Sequence, residues 1–140
     1  MTTKLNQRKE NRVMRTIKFR GKSILSAEWV YGGITAMKDG WCSAITTLTE
    51  DEFDSQELVY PETIGQHTGL LDKNGREIYE GDIVRDSEGR ISYVKWLIQR
   101  CGFVLVYERF DKDITGSYGK IEHLEVIGNI HDNPELIKGE

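Results

Sequence analysis

Residues 66–84 read Gln66-His-Thr-Gly-Leu-Leu-Asp-Lys-Asn-Gly-Arg-Glu-Ile-Tyr-Glu-Gly-Asp-Ile-Val84, with three glycines, four acids and one histidine in one short span. Either this is a reacting centre or it is densely specified backbone. Asp72-Lys-Asn-Gly75 is a strong turn signal. Aspartate bonds its own backbone, while Asn and Gly accept left-handed conformations. Ile78, Tyr79, Ile83 and Val84 supply apolar residues around a second break at Gly81-Asp82. That alternation of turn chemistry and short apolar runs predicts β-strands joined by tight turns.

The pattern continues outward in both directions. Asp86-Ser-Glu-Gly89 is another tight turn, leading into Ile91–Ile98, where Ile91, Tyr93, Lys95 and Leu97 face one way and Val94, Trp96 and Ile98 the other. Gln99 to Gly102 turns the chain, and Phe103–Tyr107 is a continuous apolar run expected to be a central buried strand. Asp111–Lys120 reads as a polar loop and Glu125–Ile130 as the last strand. Pro134, after Asp132 and Asn133 as alternative caps, opens a short C-terminal helical turn. Upstream, Ile17 and Phe19 alternate with Arg15, Lys18 and Arg20 in a half-buried strand. Glu28–Tyr31 is a second strand, ended or bent by Gly32-Gly33, and Trp41–Thr47 a third. Leu48–Glu57 holds five acids in ten residues and reads as a surface loop or short helix. Thr63–Leu70 is extended after the Pro61 turn. The sum is a mainly β fold: a small, partly open barrel with SH3-like elements, built from short antiparallel strands.

At 140 residues, 38% hydrophobic and 30% charged, the chain has the size and composition of one soluble domain. No apolar run approaches the roughly 18 residues of a membrane span. The N-terminus carries charge without an apolar stretch behind it, so no signal peptide is read and a cytoplasmic location is expected. Cys42 and Cys101 lie far apart with no C-x-x-C pairing, and are expected to be half-buried thiols in strands. The net charge of −4 conceals a split: residues 1–22 carry +7 and the remaining 118 residues −11. Residues 1–13 lack periodicity and read as a disordered basic extension.

Candidate chemistry is sparse. Asp72, Glu77, Glu80 and Asp82 form a potential acid/base or metal cluster, but no nucleophile or oriented histidine accompanies them. The competing reading is structural. Asp72 stabilises a turn, and Gly81-Asp82 shapes the start of a strand as in SH3-like barrels, with the glycine at the strained angle and the aspartate bonding loop N–H groups. His67, His123 and His131 sit at unrelated spacings, against a shared metal site. His67 equally suits ring packing on a neighbouring strand. Phosphate-cradling and nucleophile-elbow motifs are missing, so no cofactor is expected. The tryptophans and tyrosines suit a strand core better than a base-stacking groove.

Residues 68–84 resemble the signature of the YopX family of phage and prophage proteins. Three further segments are similar to that family: Met14–Gly21 with Glu28–Gly32, Thr63–Gln66, and Val126–Ile130 followed by Asn133–Leu136. The signature positions are Gln66, Thr68, Gly69, Asp72, Gly75, Ile78, Tyr79, Glu80, Gly81 and Asp82. The resemblance implies one small, mainly β domain over residues 14–137, encoded by phages, prophages and mobile elements of bacteria. It implies no reaction. It also makes residues 1–13 an extension, with Met14 as the alternative start.

Three functions follow, in descending order of support. The first is a non-enzymatic interaction module with a protein partner, or with itself as a homo-oligomer. The second is a nucleic-acid-binding module using Lys4, Arg8, Lys9 and Arg12, opposed by the acidic body. The third is an enzyme using the carboxylates of Glu80 and Asp82.

Overall fold

The computed structural model describes residues 16–36, 43–48, 54–107, 111–113 and 123–137. Among these the chain is built from antiparallel strands, with 3-10 turns as the helical elements. The strands are β1 (Phe19–Lys22), β2 (Trp29–Ala36), β3 (Ser43–Leu48), β4 (Asp54–Val59), β5 (Gly65–Leu71) and β6 (Glu77–Tyr79). They continue with β7 (Asp82–Arg85), β8 (Ile91–Leu97), β9 (Gly102–Val106), β10 (Asp111–Asp113) and β11 (Glu125–Asn129). Two sheets result, ordered β4-β3-β2-β1-β5-β6 and β10-β9-β8-β7-β11, neither closed. The fold is thus mainly β, as the turn chemistry predicts.

The two turns read from the sequence are built alike. Asp72 Oδ1 accepts the N–H groups of Asn74 and Arg76, both at 2.8 Å. Asp86 Oδ1 does the same for Glu88 and Arg90 at 2.9 and 2.8 Å. In each, the glycine three residues on adopts positive φ, +80° at Gly75 and +81° at Gly89. Asp72 also reaches across to the second sheet. Its Oδ2 accepts the Val126 N–H at 3.0 Å, and the Lys73 N–H donates to Leu124 O at 2.8 Å. The turn after β5 therefore staples β11.

The main core lies between β5–β6 and the second sheet. Ile78, Val84, Val94, Leu105, Leu124 and Val126 are buried there, with Leu70, Phe103 and Tyr107 packed against them. The register explains the selection: Val94 opposes Leu105, and Val84 opposes Ser92, so one face of the sheet collects these side chains. In β8 it is Ser92 and Val94 that are buried, while Tyr93 and Leu97 remain half-buried. A smaller buried set, Ala44, Ile45 and Val59, sits in the first sheet. That sheet curls, because Ser23 at the end of β1 bridges Val59 at the end of β4.

Several local expectations change. Trp29–Ala36 is one strand that passes through Gly32-Gly33 without ending. A Cβ on Gly32 would lie 2.1 Å from the Thr46 carbonyl oxygen, so glycine there lets β3 approach and does not break the ladder. The C-terminal part of the acidic segment is strand β4, paired with β3 over its whole length. Ser55–Leu58 is exposed and Val59 is buried, the pattern of a polar edge strand. Asp111–Asp113, expected to start a loop, pairs with β9. Consequently β9 is one place in from the edge, although Val104 and Leu105 are buried on opposite faces. Cys101 is exposed and lies outside any strand. It ends the 3-10 turn Ile98–Arg100 at φ +49°, its N–H bonded to Ile98 O. Cys42 lies outside the described residues.

Candidate functional site

The signature forms the junction between the two sheets, and the basic strand β1 docks on it. Residues 18, 20 and 22 share one face of the strand by its two-residue period. Each meets an acid from a distant segment. Lys18 Nζ lies 2.9 Å from Glu77 Oε1, Arg20 Nη1 2.7 Å from Asp82 Oδ1, and Lys22 Nζ 2.5 Å from Asp132 Oδ1. Part of the charge split in the sequence is therefore complementarity within the molecule. In the first sheet β1 is an interior strand, between β2 and β5. Acids from β6, β7 and the segment after β11 neutralise its cations, so a basic strand can occupy an interior place in the sheet.

Arg20 and Asp82 are the deepest of these pairs, at 6% and 2% exposure. The guanidinium lies 4.6 Å from the Trp29 ring centroid and 5.0 Å from that of Tyr79. Its Nη2 donates a long bond, 3.4 Å, to Glu80 O, and its Nε has no bonding partner among the described residues. Asp82 Oδ2 accepts the Tyr79 N–H at 2.8 Å. Burial pushes the Asp82 pKa up, while the Arg20 charge and the Tyr79 N–H oppose that rise. Between Tyr79 and Asp82 the chain reverses at Gly81, φ +93°. The Gly81 N–H donates to Val94 O, and its carbonyl accepts the Ile130 N–H, so both sides of the second sheet hold the reversal. A side chain at this φ would be strained.

His67 is 4% exposed, packed edge-on to Tyr79 with centroids 5.2 Å apart. Its Nδ1 accepts the Gly69 N–H at 2.9 Å, which places the ring proton on Nε2, 3.4 Å from Glu77 Oε2. Burial first, and Lys18 second, lower its pKa against the pull of Glu77. Thr68 donates its hydroxyl to Ile78 O at 2.8 Å. Glu77 also accepts the Tyr79 hydroxyl at 3.2 Å, and burial pushes that hydroxyl's pKa well up.

The two carboxylates proposed as an acid/base pair part company. Asp82 is sealed against Arg20, whereas Glu80 is half-buried, and among the described residues its carboxylate makes one long contact, accepting the Gln66 N–H at 3.5 Å. Glu80 lines a separate cleft of about 280 Å³ with Glu62, Ile64, Tyr93, Lys95 and His131. A larger cleft, about 470 Å³, is lined by residues that include Lys18, Tyr31, Arg76, Glu77, Tyr79 and Asp82. Sequence reasoning passed over Arg76, Trp29 and Asp132 as site residues. Trp29 reaches Arg20 only through the pairing of β1 with β2, and Asp132 is more than a hundred residues away in the chain.

His123 is exposed, and His131 is half-buried against the Trp29 ring, with centroids 5.8 Å apart. Among the described residues no group of three His, Cys, Asp or Glu side chains is placed to hold a metal ion. Lys4, Arg8, Lys9 and Arg12 lie outside the described residues. No helix among the described residues is long and apolar enough to cross a membrane.

No curated protein matches the chain. The crystal structure of protein EF1440 from Enterococcus faecalis is similar to it, with a TM-score of 0.50 and 25% identity, covering 89% of this chain and all of that one. The family model described as YopX protein matches residues 18–138. Its first matched residue is Lys18, so the match takes in the basic strand together with the acids that receive it. On that span of sequence, the chain belongs to the YopX family.

Proposed function

We propose that this YopX-family domain is a non-enzymatic interaction module, working through protein contacts in the cytoplasm of a bacterium that carries a phage, prophage or mobile element. One observation carries the reading: Arg20 and Asp82 close on each other in the interior. The most distinctive part of the sequence is therefore occupied in holding β1, β6 and β7 together. Asp72 is likewise bonded to three backbone N–H groups. A carboxylate held this way is a positioning element, not a free acid or base.

The test is affinity capture from prophage-induced cells, using chains that start at Met1 and at Met14. The expected result is a protein partner, or a second copy of the chain, retained by both forms after nuclease treatment. Recovery of nucleic acid alone, and only with the longer form, would overturn the reading in favour of binding through Lys4, Arg8, Lys9 and Arg12. A Glu80→Gln/Asp82→Asn pair that folds normally yet loses an activity would instead point to an enzyme.

A further inference from the structure

We propose that the larger cleft beside the signature binds a small oxyanion carried on a planar ring. This goes beyond the interaction-module reading and stands independently of it. Its volume of about 470 Å³ is in the range of small-molecule sites. The charges on its walls decide the sign of the ligand. Its lining includes Lys18, Arg20 and Arg76 together with Glu77 and Asp82. Lys18 is matched by Glu77 and Arg20 by Asp82. Arg76 makes no ion pair among the described residues, and its guanidinium has one long bond, 3.5 Å, to Val126 O. The lining therefore carries three cations against two carboxylates, and the cation outside any ion pair among the described residues is Arg76, which favours an anion over a metal ion or an amine.

The backbone of Arg76 is fixed while its head is not. Its N–H donates to Asp72 Oδ1 and its carbonyl accepts the Asp72 N–H, both at 2.8 Å. A guanidinium placed this way presents the planar donor fork that suits carboxylate and phosphate. The ring requirement comes from Tyr31, which lines the cleft, is 42% exposed, and packs edge-on to Tyr79 with centroids 5.4 Å apart. An exposed aromatic ring and a guanidinium outside any ion pair, lining the same cleft, offer one surface for a flat group and one for its charge. The smaller cleft has the opposite balance, Glu62 and Glu80 against Lys95, and serves as the internal control.

The experiment is a titration of the full chain at low salt, followed by amide chemical shifts. The probes are phenyl phosphate, inorganic phosphate and benzylamine. Phenyl phosphate is expected to bind most tightly, with shifts centred on residues 75–79 and Tyr31, and benzylamine to leave those residues unmoved. Arg76→Gln should weaken phenyl phosphate about tenfold or more, the loss of a charge-assisted pair. Tyr31→Ala should reduce phenyl phosphate to the level of inorganic phosphate and leave phosphate itself unchanged. Both side chains are exposed, and an unchanged unfolding midpoint confirms that each variant folds. Absence of phenyl phosphate binding, equal binding to Arg76→Gln, or shifts confined to Glu62, Glu80 and Lys95 would each overturn the proposal.

Discussion

Glu80, Gly81 and Asp82 are consecutive, yet the structure gives each a different task. Glu80 has one long contact and borders solvent, so Glu80→Gln should change unfolding free energy by no more than about 0.5 kcal/mol. Gly81 holds φ +93° with both backbone groups bonded. Gly81→Ala is therefore expected to lose about 1–2 kcal/mol from backbone strain, read by urea unfolding. A reacting Glu80 would show itself otherwise, with Glu80→Gln losing an activity at unchanged stability. The turn role of Asp72 and Gly75 was legible because Asp-x-x-Gly turns are local chemistry. The partner of Asp82 was not legible, because Arg20 is brought to it from the far side of β5. Sequence spacing carries no trace of that contact.

At the scale of elements, β1 is held by ion pairs whose acids titrate. Burial raises the pKa of Asp132, but bonds from Lys22, Trp29 and Asn129 outweigh it and bring the value down from 3.8 to about 2. Asp72 and Glu77 are also lowered against the cost of burial, Asp72 by backbone N–H groups and Glu77 chiefly by Lys18. A depressed folded pKa contributes stability above the unfolded value that is lost as pH falls through the folded one. Acid unfolding should therefore steepen below about pH 4 and continue toward pH 2. Lys22→Met should flatten the lower part of that curve, as circular dichroism against pH would show. Asp82 acts in the opposite sense, since burial raises its pKa.

The staple from Asp72 to β11 gives a second prediction at this scale. Asp72→Ala leaves three backbone N–H groups without their acceptor, at about 1–3 kcal/mol for each that stays buried and unmet. Hydrogen exchange should quicken first at Val126 and its neighbours in β11, with β2–β3 protected for longer. The elements that sequence patterning missed share a cause. β4 is polar because it is an edge, and its strand character comes from pairing with β3. β2 runs on through Gly32 because the neighbouring Thr46 carbonyl needs the space a side chain there would fill. Both are tertiary effects that override local propensity.

For the whole molecule, the division between a basic N-terminal segment and an acidic remainder first suggested an arm for an external polyanion. The structure turns part of that charge inward: three of the eight cations in residues 1–22 are paired with acids of the body. The mainly β class was legible throughout, because turn residues recur at short intervals from Asp72 to Gly102. The arrangement into two sheets was not, since nothing local says that β1 sits between β2 and β5.

The role of the signature as receptor for β1 centres on Arg20 and Asp82. It is tested most directly by urea unfolding of wild type, Arg20→Met and Arg20→Met/Asp82→Asn. Methionine keeps the contacts with the Trp29 and Tyr79 rings but leaves Asp82 buried without its counter-charge. Arg20→Met should lose about 3–5 kcal/mol. The added Asp82→Asn should restore about 1 kcal/mol or more, because the stranded charge is gone. An Arg20→Met variant within about 0.5 kcal/mol of wild type, or a double variant that loses still more, would contradict the account.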